Sequence, residues 1–256
     1  MKKVLGAFAI SACCIASPAL AEDDADWTGA YIGIHAGYTS MKSDSTPTLG
    51  DDWIANEPAT RRADVISKWS AQQKVENAHF GAQLGYNLDA GGVVVGVEAD
   101  FTLHNGSDDL VRGPLVDSTS SGLSYTFGNH IDPKYAMSLR GKLGLPLGKT
   151  LVYAHGGWGW TRAEVAADIV SNGGYTKEGR VTETFDGYII GGGIEHKVGS
   201  NASVRLEYSY ADQGDVTYAT AYRTGSTYAP PTYNYTETFT QDLRMHQVRI
   251  GLNYHF

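Results

Sequence analysis

The sequence predicts an all-β fold: an eight-stranded antiparallel transmembrane β-barrel with short periplasmic turns and long extracellular loops. Three observations carry that expectation. Apolar and polar residues alternate with a period of two in eight separate segments, the signature of strands with one apolar and one polar face. The spacers between those segments alternate strictly between short and long. Glycine makes up about 12% of the chain, 31 of 256 residues, against roughly 7% in ordinary proteins, while charged residues are only 19%. A mean hydropathy of −0.27 and the lack of any apolar run of about 18 residues exclude helical membrane spans. The net charge of −8, without a basic tract, excludes nucleic acid as a partner.

The first residues read as an export signal. Met1-Lys2-Lys3 is a positive start, Val4 to Ala16 an apolar core, and Ala19-Leu20-Ala21 a small-residue cleavage site ahead of Glu22-Asp23-Asp24. This is the layout of a secretory signal peptide, and its core is too short to span a bilayer. The chain therefore divides into a signal, 1–21, cleaved between Ala21 and Glu22, and a barrel domain, 22–256. Both cysteines, Cys13 and Cys14, fall in the signal. The exported chain has no thiol chemistry, and its 18 basic and 28 acidic side chains give a net charge of −10. Ile10-Ser11-Ala12-Cys13 also looks like a lipoprotein processing site, but processing at Cys13 would leave an unusually short apolar core.

The eight segments follow in order. Ile32, Ile34, Ala36 and Tyr38 alternate with Tyr31, Gly33, His35 and Gly37; Phe80, Ala82, Leu84, Tyr86 and Leu88 alternate with Gly81, Gln83, Gly85 and Asn87. Val93, Val95, Val97, Ala99, Phe101 and Leu103 oppose Gly96, Glu98, Asp100 and Thr102. Tyr135, Met137, Leu139, Leu143 and Leu145 oppose Ser138, Arg140, Lys142 and Gly144. Val152, Ala154, Trp158 and Trp160 share a face in the fifth segment. Tyr188, Ile190 and Ile194 oppose Gly191, Gly193 and Glu195 in the sixth, and Val204, Leu206, Tyr208 and Tyr210 oppose Ser203, Arg205, Glu207 and Ser209 in the seventh. The last is the clearest: Val248, Ile250, Leu252, Tyr254 and Phe256 oppose Gln247, Arg249, Gly251, Asn253 and His255.

The spacers sort by length. Asp89–Gly92, Pro146–Thr150 and Gly199–Asn201 are tight turns, whereas 41–77, 105–134, 164–184 and 213–243 are long and polar. An outer-membrane barrel has this sorting, with strands of about 9–11 residues. A soluble sandwich has no reason to sort its loops by length onto one end.

The polar faces decide which side is out. They carry four acids, Glu98, Asp100, Glu195 and Glu207, and four bases, Arg140, Lys142, Arg205 and Arg249. Charges taken out of water are expected to be paired, so these eight are read as a mutually neutralising network that plugs the lumen. A solvated surface would also tolerate them, but would leave the signal and the loop sorting unexplained. An eight-stranded lumen is only wide enough to be filled by side chains. Glycines on that inward register, Gly33, Gly37, Gly81, Gly85, Gly96, Gly144, Gly157, Gly159, Gly191, Gly193 and Gly251, make room for them. Tyr38, Tyr86, Tyr135, Tyr208, Tyr210, Tyr254, Trp158 and Trp160 suit an interfacial aromatic girdle.

Four of these stretches look like a known group. Asp26-Trp27-Thr28-Gly29-Ala30-Tyr31-Ile32-Gly33, Phe80-Gly81-Ala82-Gln83-Leu84-Gly85-Tyr86-Asn87, Leu206-Glu207-Tyr208-Ser209-Tyr210-Ala211-Asp212 and the terminal Phe256 resemble, in that order, strands of the small outer-membrane β-barrel proteins of alphaproteobacteria. These are porin-family proteins related to the OmpA transmembrane barrel. Ala30, where an aromatic is usual, His35, and the long loops depart from the family pattern. The resemblance implies insertion by the outer-membrane assembly machinery, which would read Leu252, Tyr254 and Phe256 as its signal.

Function is weighed across four classes. The first is a structural and surface-interaction protein in the outer membrane, in contact with lipid and lipopolysaccharide, with a plugged lumen. The second is a small-conductance porin. The third is an enzyme, which would need a nucleophile, a base and an orienter within reach. His35, His79, His104, His130, His155, His196, His246 and His255 form no Ser–His–acid grouping on one outward face, and no catalytic residue is assigned. The fourth is ligand capture by loops: Trp53, Arg61, Arg62 and Trp69 in the first, and Tyr218, Tyr222, Tyr228, Tyr233 and Tyr235 in the fourth, offer contacts for haem, host surface molecules or phage. The plainer alternative there is a solvated, Tyr-rich loop. His79, His104 and His130 lack metal-ligand spacing, and no cofactor or metal is expected. Arg162, Lys177 and Arg180 are read as outer-rim cations facing lipopolysaccharide phosphates.

Overall fold

The computed structural model describes residues 26–256; the expected signal, with Cys13, Ala21 and Glu22, lies outside the described residues. The chain forms β1 (Gly29–Asp51), α1 (Asp52–Asn56), α2 (Ala59–Trp69), β2 (Ala71–Asp89), β3 (Val94–His104), β4 (Asp108–Asp117), β5 (Ser120–Leu147), β6 (Thr150–Ser171), β7 (Thr176–Lys197), β8 (Ala202–Ala219), β9 (Ala221–Tyr222) and β10 (Tyr235–His255). Eight of the strands close a ring, each antiparallel to the next: β1, β2, β3, β5, β6, β7, β8, β10 and back to β1. Closure leaves no unpaired edge to face hydrocarbon. β4 continues the line of β3 along β5, and β9 pairs with β7, both at the outer end.

The three short spacers are the turns at one end, and the outward residues near them form an apolar belt. Ile34 is 63% exposed and Leu84 62%, while the alternating His35 and Gln83 are buried. The belt ends at a row that runs through Ala78, Tyr38, Val248 and Tyr208 on neighbouring strands. Beyond that row the outward positions of β1 and β10 become Ser40, Lys42 and Asp44, and His246, Arg244 and Asp242.

The strands do not stop there. β6 and β7 have 22 residues each, about 70 Å at roughly 3.3 Å per residue, twice a hydrocarbon core of about 30 Å. Most of the stretches expected as long loops, 41–77, 105–134, 164–184 and 213–243, are therefore strand. The irregular part of the first shrinks to two short helices, and that of the third to a turn between Ser171 and Thr176. The physical reason is a phase change. In β6, the apolar residues sit outward at Val152, Ala154, Trp158 and Trp160, then inward at Ala163, Val165, Ala167 and Ile169. In β5, a bulge between Pro133 and Tyr135 does the same: Phe127 and Ile131 face in, Met137 and Leu139 face out.

The outer interior is consequently an apolar core. Phe127, Val165, Ile169, Phe185 and Phe239 pack there with Trp53 from α1 and with Val65 and Trp69 from α2. Trp69 lies 4.7 Å from Phe239 and 5.5 Å from Phe127 between ring centroids. At the opposite end, Trp27 is fully buried beside Val94, Leu151 and Tyr153, and its indole donates to the Gly148 carbonyl at 3.3 Å.

Candidate functional site

The inward register of the belt region converges on one site. Glu98 and Asp100 come from β3, Arg140 and Lys142 from β5, Glu195 from β7, Arg205 and Glu207 from β8, and Arg249 from β10. Three opposite-charge pairs are direct cross-strand neighbours: Glu98 with Arg140, Glu195 with Arg205, and Glu207 with Arg249. β3 and β8 stand on opposite sides of the ring, so the ion pair of Arg205 with Glu98 spans the lumen. Arg140 also bonds Glu98, and it reaches Asp100 at 3.0 Å and Glu207 at 2.7 Å. Arg249 lies 2.6 Å from Glu207 and 3.3 Å from Asp100. Lys142, 3.5 Å from Glu195, stands over the rings of Tyr31 and Tyr153 and donates to the Tyr31 hydroxyl at 3.1 Å. Tyr31 in turn donates to Glu98 at 2.8 Å, which joins all eight charged groups into one neutral cluster.

Space for this cluster comes from missing side chains. A Cβ on Gly193 would lie 2.7 Å from the Tyr153 hydroxyl, and one on Gly251 would lie 3.0 Å from the Arg205 side chain. Both glycines are on the inward register named from the sequence.

The lumen also holds two Ser–His–Glu groupings that sequence reasoning missed, because it searched the outward faces. Ser203 donates to Glu195 at 2.6 Å and meets the His255 Nε2 at 2.9 Å; Ser209 meets the His155 Nε2 at 3.3 Å beside Glu207. In both, hydroxyl and carboxylate approach the same ring nitrogen, so the imidazole does not bridge acid to nucleophile as a relay requires. His35, His79 and His104 line one lumen wall with ring centroids 5.9 Å apart. Among the described residues, no group of three His, Cys, Asp or Glu side chains is placed to hold a metal. His130 faces out, bonded to Asp109 at 2.7 Å.

At the outer end the reading of single residues needs correction. Lys177 is not a rim cation: it is buried in the interior, 2.5 Å from Glu237 and over the Tyr222 ring. Glu237, fully buried, also accepts from the Trp53 indole at 2.7 Å, from Thr220 at 2.5 Å and from Tyr175. The sequence signal for it is the inward series Tyr235, Glu237 and Phe239, which lies in β10 and not in the long loop expected over 213–243. Trp53, Trp69, Tyr218 and Tyr235 likewise belong to the core, whereas Tyr228 and Tyr233 remain exposed. Arg180 does sit on the outer surface, with its charge met by Glu164 and Glu178, and Arg162 bonds Thr184 at 3.1 Å. Leu252, Tyr254 and Phe256 all face outward, and the Phe256 amide donates to the Ala30 carbonyl at 3.0 Å.

Comparison with known proteins agrees with this architecture. A family model described as outer membrane protein beta-barrel domain matches residues 5–256. The 31 kDa outer-membrane immunogenic protein of Brucella melitensis is 29% identical over 91% of this chain and 85% of its own length. The 22 kDa outer membrane protein of Rhizobium leguminosarum bv. viciae is 31% identical over 52% of each chain. Among solved structures, the Neisserial surface protein NspA aligns over 90% of this chain and 98% of its own, with 11% identity and a TM-score of 0.42.

Proposed function

We propose that this chain, which belongs to the outer membrane protein beta-barrel domain family, is a sealed barrel that anchors and displays a rigid extracellular extension. It resides in the cell outer membrane. The observation that carries the reading is that the lumen is filled along its length. Trp27 closes the short-turn end, the eight-charge cluster fills the belt region, and the apolar core with α1 and α2 fills the outer half.

Filling of this kind supports a structural and surface-interaction role over an open porin. The Brucella relative carries the word immunogenic in its description, in keeping with display at a cell surface. The reading includes no catalytic step. It takes lipopolysaccharide as the lipid around Arg162 and Arg180, and assigns Leu252, Tyr254 and Phe256 to recognition by the assembly machinery.

Planar-bilayer recording of the purified protein tests it. Silence, or small and intermittent openings, is the expected result. Steady conductance on the scale of a water-filled porin would overturn the sealed-barrel reading.

A further inference from the structure

Segments from several sides of the outer mouth meet around a small, open cavity of about 130 Å³ that the anchoring role does not use. That volume is below the roughly 300–1,000 Å³ of drug-sized sites, so the cavity takes a single small ring at its open mouth. Its walls are aromatic: Trp53, Tyr125, Tyr175, Tyr228 and Tyr235 all border it. Trp53 stands edge-on to Tyr235 and Tyr175, at 5.1 and 5.9 Å between centroids, and the two tyrosines are 5.6 Å apart. These three rings are held by hydrogen bonds, Trp53 and Tyr175 to the buried Glu237 and Tyr235 to the half-buried Glu57 at 3.0 Å. The far wall is different. Tyr228 is half exposed and has a φ of 55°, a left-handed backbone that a bulky side chain adopts only under constraint from its surroundings.

Apart from the tyrosine hydroxyls, the polar side chains of the lining are Glu57, Arg61 and Ser171. Arg61 contacts Glu57 at 2.5 Å and Asp117 at 3.1 Å. Arg61 and Glu57 set guanidinium donors beside a carboxylate acceptor, with the second carboxylate, Asp117, also on the guanidinium, a pattern that suits adjacent hydroxyl groups. The two carboxylates on Arg61, Glu57 and Asp117, outnumber that one cation and disfavour phosphate or carboxylate ligands. Arg61 in the wall disfavours a bare cation. What fits is a neutral polyol with an apolar face to lay on an aromatic ring.

We propose that this cavity is a binding site for a neutral saccharide, with a sugar face against Tyr228 and its hydroxyls on Glu57 and Arg61. The full-length exported protein, purified in a detergent without a sugar headgroup, is screened on an array of uncharged glycans, and binders are titrated by calorimetry. At least one uncharged glycan is expected to bind. Tyr228→Ala should weaken it roughly tenfold while keeping heat-modifiable migration, and Tyr228→Phe should retain most of the affinity. The proposal falls if no uncharged glycan binds, if Tyr228→Ala binds as well as the parent, or if choline or inorganic phosphate is the only ligand taken. The sealed-barrel reading is decided separately, by conductance.

Discussion

Below the row through Tyr38 and Val248 the wall is apolar outside and polar inside; above it, the same strands are polar outside and apolar inside. β10 shows both states in one strand. Val248, Ile250 and Leu252 face out beside inward Arg249 and Asn253, whereas Thr238, Thr240 and Asp242 face out beside inward Phe239 and Leu243. The outward face is chosen by its solvent, lipid below and water above. The interior then differs in kind. Below, charges excluded from lipid must satisfy one another in a narrow lumen with room made by glycine. Above, the barrel is an ordinary soluble protein that buries Phe, Val and Trp. One region is held mainly by electrostatic matching and the other mainly by packing around the buried Lys177–Glu237 pair, so each should fail to a different substitution.

The largest effect is expected in the lower interior. Arg205 is fully buried and is the cation that crosses from β8 to Glu98 on β3. Arg205→Leu would leave Glu98 and Glu207 with one partner fewer each. Breaking a buried ion pair from one side costs roughly 3–5 kcal/mol. The urea midpoint of the heat-modifiable band should fall accordingly. An unchanged midpoint would mean that the lower interior is solvated, and the contrast between the two halves would collapse.

How far the sequence revealed each region follows from the same division. The eight lumen charges were identified by register alone, because a single parity of alternation runs through the belt and every charged residue sits on the minor face. Above the row, a bulge in β5 turns the odd-numbered apolar series from outward to inward, and in β6 the apolar residues themselves switch from even, outward positions to odd, inward ones. A search for one continuous apolar face reads that reversal as the end of a strand. Lys177 and Glu237 are hidden for that reason: each stands in a stretch that reads as polar, and the aromatic residues around them, Trp53, Tyr175 and Tyr222, come from three separate segments. The cross-lumen pairing of Arg205 with Glu98 could not be read from sequence, because it depends on which strands stand opposite in the closed ring.

A smaller and sharper contrast comes from one substitution made twice on the outside of β10. Ile250 is 58% exposed at the middle of the apolar belt, and Thr238 lies on the outward face of the upper region. Arginine near the bilayer midplane of a barrel costs about 2–4 kcal/mol, whereas a surface substitution in water usually stays within about 0.5 kcal/mol. Ile250→Arg should therefore lower folded yield in lipid vesicles and Thr238→Arg should not. Equal yields would place the belt elsewhere on the strand.

The least effect, and the one most specific to the upper region, is expected at Asp117. Its buried carboxyl ties α2 to the end of β4: it accepts from the Thr119 amide at 2.8 Å, from the Thr119 hydroxyl at 2.6 Å and from Arg61 at 3.1 Å. Burial alone would push this carboxyl up, but the Thr119 donors and the Arg61 charge outweigh burial and hold it below the usual carboxylate range. A folded value below the unfolded one, about 3.9, means that the ionised carboxylate stabilises this contact at neutral pH. That contribution is present above the unfolded value and is lost as pH falls through the folded one. Amide hydrogen exchange in α2, corrected for intrinsic rates, should lose a few-fold of protection as pH drops below about 4. Asp117→Asn should start with less protection and lack that step, which assigns the step to Asp117 itself. Protection in the belt strands should be unaffected by the substitution, because no part of the lower interior leans on the α2 contact. A matching loss there would show that the two regions unfold as one unit, and that their opposite chemistry does not make them independent.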